Sequence, residues 1–152
     1  MTAGRVSRAV VADRVALIRR LLDESGMLPL DDLDDFTRDP RMVAAGESYL
    51  RRALEALLDI ARHVLAKGFA RGPSEYAEVA WQLGEVGVVS RGQSERLVLM
   101  ARYRNRLVHG YEEVTARELY DLLAGRLGDI EEMVTAVTTW MAEHPDRVSE
   151  GD

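Results

Sequence analysis

The sequence contains no cysteine in 152 residues, which excludes disulfides, thiolate zinc sites and a cysteine nucleophile. Aromatic residues amount to only 6%, too few for the aromatic and β-branched surfaces on which sheets are built, while Leu, Ala, Val, Arg and Glu dominate and favour helices. No apolar run approaches the roughly 18 residues of a membrane-spanning helix. Residues 1–12 carry Arg5 and Arg8 but no apolar core of a secretory signal, so a soluble, cytoplasmic protein is expected. There is also no internal repeat, no low-complexity stretch and no glycine-rich phosphate loop.

What is present is a 47% hydrophobic chain of a length that suits one domain with a real core. An all-α, single-domain bundle of about five helices over residues 1–145 is expected, followed by a loose tail over 146–152. The net charge of −6 argues against generic binding to nucleic-acid backbones, but the charge is unevenly spread. Asp23, Glu24, Asp31, Asp32, Asp34 and Asp35 stand together without a base, whereas positions 91–106 hold five arginines against Glu95 alone. The acidic stretch serves solubility or docks a basic partner surface.

The periodicity predicts a first helix from about Ser7 to Ser25, ended by Gly26, with Val11, Val15, Ile18 and Leu22 at helical spacing. Residues 30–38 read as a loop with a short helical turn. Asp39-Pro40 is an N-cap and first-turn pair for a long helix to about Lys67, closed by Gly68, with Leu50, Leu54, Leu57, Leu58, Ala61 and Leu65 as its stripe. Gly72-Pro73 opens a third helix to about Leu83. Ser90 with Gln93, and Thr115 with Glu118, form capping boxes for a fourth helix and for a fifth that runs to about Met141. Trp81 and Trp140 are expected as core or interface anchors.

On the fourth helix Leu97, Val98, Ala101, Leu107 and Val108 share a face that must be buried. Arg104 and Asn105 interrupt it. A desolvated guanidinium needs a partner, so Arg104 either pairs with a carboxylate such as Glu55 or Asp59, or lines a cleft that an anion or a second subunit enters. His109 follows five residues later, about 7.5 Å along the axis, and on an unbroken helix Tyr111 returns to the face of Arg104. Histidine can shuttle a proton near neutral pH while arginine stabilises charge on a phosphorane, as attack of a ribose 2′-hydroxyl on the adjacent phosphate requires. No metal or other cofactor is needed for that reaction. Arg102 and Arg106 are candidate RNA-guiding residues, or simply a solvated face. Glu55, Asp59 and His63, each four residues apart, are read as a charged helix face rather than metal ligands. For His109 the bland alternative is a favourable interaction with the helix dipole, and for Tyr111 ordinary packing.

The run Arg104-Asn105-Arg106-Leu107-Val108-His109-Gly110-Tyr111 resembles the R-x4-6-H-x-Y motif of HEPN toxins of the HepT type. The resemblance extends over most of the chain, from Glu55, Asp59 and His63 through Ser74-Glu75-Tyr76 and Leu83-Gly84-Glu85 to the helix beyond Tyr111. It implies a HEPN-like homodimer acting as a metal-independent endoribonuclease, with Arg104 and His109 as the RNA-cleaving pair at the dimer cleft and Asn105 as their polar neighbour. It further implies a type VII-like toxin–antitoxin system whose partner is a minimal nucleotidyltransferase of the MNT type, which transfers nucleotide monophosphates to Tyr111. The competing function is a non-catalytic helical subunit that binds a nucleotidyltransferase and its nucleotide through Arg104 and His109.

Overall fold

The computed structural model describes residues 4–109 and 113–150. They form β1 (Val6–Ser7), α1 (Arg8–Ser25), α2 (Leu33–Thr37), α3 (Pro40–Phe69), α4 (Tyr76–Glu85), α5 (Arg91–His109), α6 (Ala116–Gly125), α7 (Leu127–Glu143), a 3-10 turn (Pro145–Arg147) and β2 (Val148–Ser149). No helix among the described residues is long and apolar enough to cross a membrane.

The bundle is organised around α3, which packs against all six other helices. Its start is fixed as expected: Asp39 Oδ1 accepts from the Arg41 amide at 3.0 Å and Pro40 fills the first turn. Buried Leu50, Leu54, Leu57, Leu58, Ala61 and Leu65 form the stripe on which the core is built. The end differs. Gly68 stays inside the helix, where an added Cβ would stand 3.3 Å from Val6 Cγ2, and Ala70 takes the left-handed conformation (φ 54°) that stops it. On α1, Val11, Val15, Ile18 and Leu21 face α3, and Ser7 Oγ caps the helix by accepting from the Val10 amide at 3.2 Å.

Among the described residues there are seven helices where about five were expected. The short turn in residues 30–38 is a helix of its own, α2, capped by Asp32 Oδ1 on the Asp34 amide at 2.8 Å. Asp34 and Asp35 fall in its first turn, where the helix dipole favours negative charge. The expected fifth helix breaks at Arg126 (φ −125°, ψ 3°), after Gly125, into α6 and α7. The third helix begins at Tyr76 rather than at Pro73, and the Ser74 carbonyl ahead of it accepts from Arg62 Nη2 at 3.0 Å.

Where the sequence suggests a loose tail, Val148–Ser149 pairs in parallel with Val6–Ser7, Val6 opposite Val148. Both valines are buried. Arg147 donates to the Gly68 carbonyl, and Trp140, in the core, stacks on His144 with centroids 4.8 Å apart. Trp81, by contrast, is 41% exposed on α4.

Candidate functional site

The α5 helix starts on the predicted capping box: Ser90 N donates to Gln93 Oε1 at 2.9 Å and Gln93 N to Ser90 Oγ at 3.1 Å. Ser94, Leu97 and Ala101 are fully buried, with Ser94 Oγ donating to the Ala80 carbonyl of α4 at 2.9 Å. The apolar face then opens toward the C-terminal end. Val98 and Leu107 are half-buried and Val108 is 43% exposed, so the continuous buried face expected over 97–108 is confined to its first half.

At that transition sits Arg104, with its side chain 20% exposed. Nη2 donates to Glu55 Oε2 on α3 at 3.3 Å, Nη1 donates to Asn105 Oδ1 at 3.2 Å, and Nε is buried with no hydrogen-bond partner among the described residues. The carboxylate pairing weighed from sequence is therefore present. Glu55 is shared, since its Oε1 also accepts from Arg51 Nη1 at 2.5 Å.

Tyr76, the first residue of α4, completes the arrangement. Its ring lies under two cations, with the Arg62 guanidinium carbon 4.5 Å and that of Arg104 4.9 Å from the centroid. Its hydroxyl donates to Asp59 Oδ1 at 2.8 Å. Burial, then that hydrogen bond, push the phenol above its ordinary pKa, so it remains a neutral donor. Glu55 and Asp59, one turn apart on α3, thus anchor Arg104 and Tyr76 respectively.

A second brace joins α5 to α6. Glu118 Oε2 accepts from the Tyr103 hydroxyl at 2.6 Å and from Arg106 Nη1 at 3.1 Å, and Arg106 lies over the Tyr103 ring at 5.0 Å. The Tyr103 hydrogen bond and then Arg106 hold the Glu118 carboxyl down to about 2. Only half of the second predicted capping box forms. Thr115 Oγ1 accepts from the Glu118 amide at 3.1 Å, but the Glu118 carboxylate points to α5.

His109 is the last residue of α5 and exposed. At 3.6 residues per turn it lies about 140° around the axis from Arg104, so the helix carries both residues but does not turn them to one face. Arg102 is exposed, whereas Arg106 is half-buried against Glu118. Tyr111, the expected acceptor of nucleotide, lies outside the described residues, as does Gly110. His63 is engaged elsewhere: its Nε2 accepts from the Ser7 amide at 3.0 Å. An apolar groove of about 230 Å³, lined by Leu50, Leu54, Leu99, Met100, Leu122 and Ile130, opens between α3, α5, α6 and α7, and Arg104 does not line it.

Sequence reasoning did not single out Tyr76, Tyr103 or Glu118 as parts of the site. Glu118 was visible as a capping residue, and Tyr76 as part of the stretch resembling HEPN toxins. Their partners are set by helix register across 15 and 17 or more positions, which no local pattern encodes.

A model of the ribonuclease HepT-like family matches residues 14–137. The curated tRNA nuclease HepT of Aphanizomenon flos-aquae (strain 2012/KM1/D3) is 24% identical over 115 residues, covering 76% of this chain and 78% of that protein. Among solved structures, the tri-AMPylated HEPN toxin of Shewanella oneidensis in complex with MNT antitoxin has a TM-score of 0.79 at 22% identity, over 86% of this chain and 97% of its own. The cytosolic protein of unknown function YutE from Bacillus subtilis has a TM-score of 0.75 at 19% identity, over 93% and 95%. The all-helical fold is that of HEPN proteins, and with the family model spanning most of its length, the chain belongs to the HepT-like ribonuclease family.

Proposed function

We propose that this chain is the toxin of a toxin–antitoxin pair, a metal-independent endoribonuclease in which Arg104 and His109 cleave RNA at the cleft of a homodimer. The observation that carries it is Arg104: a mostly buried arginine, held on three sides by Glu55, Asn105 and Tyr76, on the helix that ends in His109, in a family of ribonucleases. An arginine fixed at the edge of the core is pre-ordered for an anion, which lowers the entropic cost of meeting a phosphate.

In the reaction, the ribose 2′-oxygen forms a bond to the adjacent phosphorus while the bond from phosphorus to the 5′-oxygen breaks. His109 takes the 2′-hydroxyl proton and, as its conjugate acid, returns one to the leaving 5′-oxygen, while Arg104 balances the charge on the phosphoryl oxygens. The products are a 2′,3′-cyclic phosphate and a 5′-hydroxyl. The angle of about 140° between the two residues on one helix favours a site completed by the second protomer. Asn105 supports Arg104 through its side-chain oxygen. Exposed Arg102 guides RNA, and Arg106 contributes to that rim with its charge already balanced by Glu118.

The similarity to a tRNA nuclease supports tRNA as the substrate class. The tri-AMPylated HEPN toxin bound to its MNT antitoxin supports a nucleotidyltransferase partner for this chain, with Tyr111 as the acceptor. Each transferred nucleotide would add a negative charge beside His109 and repel RNA, an off switch of simple electrostatic origin.

The test is cleavage of purified cellular tRNA by the wild type and His109→Ala in excess EDTA, with circular dichroism of both and analysis of the new ends. Cleavage by the wild type alone, leaving cyclic phosphate ends, is expected. Equal activity in the two proteins would overturn the assignment of His109. The alternative, a non-catalytic subunit binding a nucleotidyltransferase and its nucleotide through Arg104 and His109, predicts no cleavage by either protein.

A further inference from the structure

We propose that Tyr76 is a positioning residue for the cleavage reaction, its ring fixing the plane of the Arg104 guanidinium; this rests on the ribonuclease function proposed for Arg104. The hydrogen bonds of Arg104 leave its orientation incompletely determined. Nη2 reaches Glu55 at 3.3 Å and Nη1 reaches Asn105 at 3.2 Å, both near the long end of the range, while Nε makes none among the described residues. A guanidinium held only at its two outer nitrogens can rock about the line joining them. The Tyr76 ring, 4.9 Å from its carbon, closes off that motion.

The ring is itself immobilised from two directions. Its hydroxyl is tied to Asp59 Oδ1 at 2.8 Å, and Arg62, 4.5 Å from the centroid, lies 3.8 Å from the same Asp59 oxygen. Asp59, Arg62 and Tyr76 therefore form a closed unit in which each member holds the other two. When a phosphate draws Arg104 away from Glu55, the aromatic contact survives, because it is made by the guanidinium carbon over the ring and takes none of the N–H groups that an anion needs. Glu55 orients the arginine only until RNA arrives, and Tyr76 continues to do so in the complex.

Two substitutions separate the ring from the hydroxyl. Tyr76→Phe keeps the aromatic face and loses the bond to Asp59, and Tyr76→Leu loses both. With total tRNA as substrate and rates normalised to folded protein, Tyr76→Leu is expected to lower kcat by about tenfold or more with a smaller change in KM, because misplacement of a charge-stabilising group acts in the transition state. Tyr76→Phe should recover most of that loss. A purely structural role would lower the melting temperature of the variants and leave kcat per folded molecule unaltered, which would overturn the proposal, as would equal losses in Phe and Leu.

A second measurement is independent of activity and of the folding of the Tyr76 variants. The Arg104 Hδ resonances of the wild type, assigned by comparison with Arg104→Lys, should be shifted upfield by the ring current of Tyr76. Ordinary shifts would show that the ring does not hold the guanidinium and would overturn the proposal. Failure of the ribonuclease function itself reads out differently, as full cleavage by Arg104→Ala or none by the wild type with the upfield shift intact, and in that case the role in catalysis falls with it.

Discussion

Glu55 holds Arg51 through one carboxylate oxygen at 2.5 Å and Arg104 through the other at 3.3 Å. The longer contact is the one at the proposed site. A phosphate that displaces Glu55 from Arg104 therefore leaves a carboxylate still neutralised by Arg51, so release does not strand a half-buried charge. Removing the competition in Glu55→Gln is expected to tighten RNA binding, by up to about fivefold for a pair worth about 1 kcal/mol. Fluorescence anisotropy with labelled tRNA in a His109→Ala background would measure it, and weaker binding would mean that Glu55 is needed to present Arg104.

Glu118 predicts an acid limb in the stability profile. Its carboxyl titrates near 4.5 in the unfolded chain and about 2 in the fold, so the unfolded chain binds the proton first as pH falls. The contribution of the brace to Tyr103 and Arg106 is complete above about pH 4.5 and disappears between there and pH 2. Melting temperatures of Glu118→Gln measured across that window should be lower than wild type at neutral pH and converge with it in acid.

His63 gives a second pH dependence, nearer neutrality. It is neutral in the fold, its pKa held below 6.5 by burial and then by the charge of Lys67, and its Nε2 must be unprotonated to accept from Ser7. As pH drops through 6.5 the unfolded chain takes up a proton before the folded one, so stability declines until the folded pKa is passed. Urea midpoints at pH 7.5 and 5.5 should differ in the wild type and agree in His63→Leu. That variant should also lose about 1–3 kcal/mol at pH 7.5 for leaving the Ser7 amide without an acceptor.

Gly84 of α4 packs directly against Ser94 of α5. A Cβ there would stand 2.5 Å from Ser94 Cβ and 2.6 Å from its Oγ, in a region where Ser94 is fully buried. Gly84→Ala should therefore cost about 1–3 kcal/mol in urea denaturation through overpacking. Gly92→Ala, whose Cβ meets nothing within 4 Å at the exposed start of α5, should cost none.

Elements whose causes are local were legible in the sequence. Asp39-Pro40 and Ser90 with Gln93 fix helix starts through bonds spanning two or three residues, and both form as their spacing implies. The break at Arg126 was not legible, since no proline marks it and the apolar period continues across it. Nor was the pairing of residues 6–7 with 148–149, which joins positions more than 140 apart by only two residues on each side. At the site, Arg104 and Asn105 stood out as polar residues on an apolar face and Glu55 was among the partners considered. Tyr76 escaped because its role depends on how α4 lies across α3 and α5.

The parallel sense of the Val6–Val148 pairing has a mechanical consequence. When a molecule is pulled by its two ends, strands that run the same way slide past each other, and their hydrogen bonds share the load instead of opening one at a time. With Arg147 bonded to the Gly68 carbonyl and Val6 packed against Gly68, the end of α3 lies directly behind that pair. In a force-extension experiment the first rupture should therefore be the shearing of this clasp, with α4, α5 and the arginine they support giving way only afterwards.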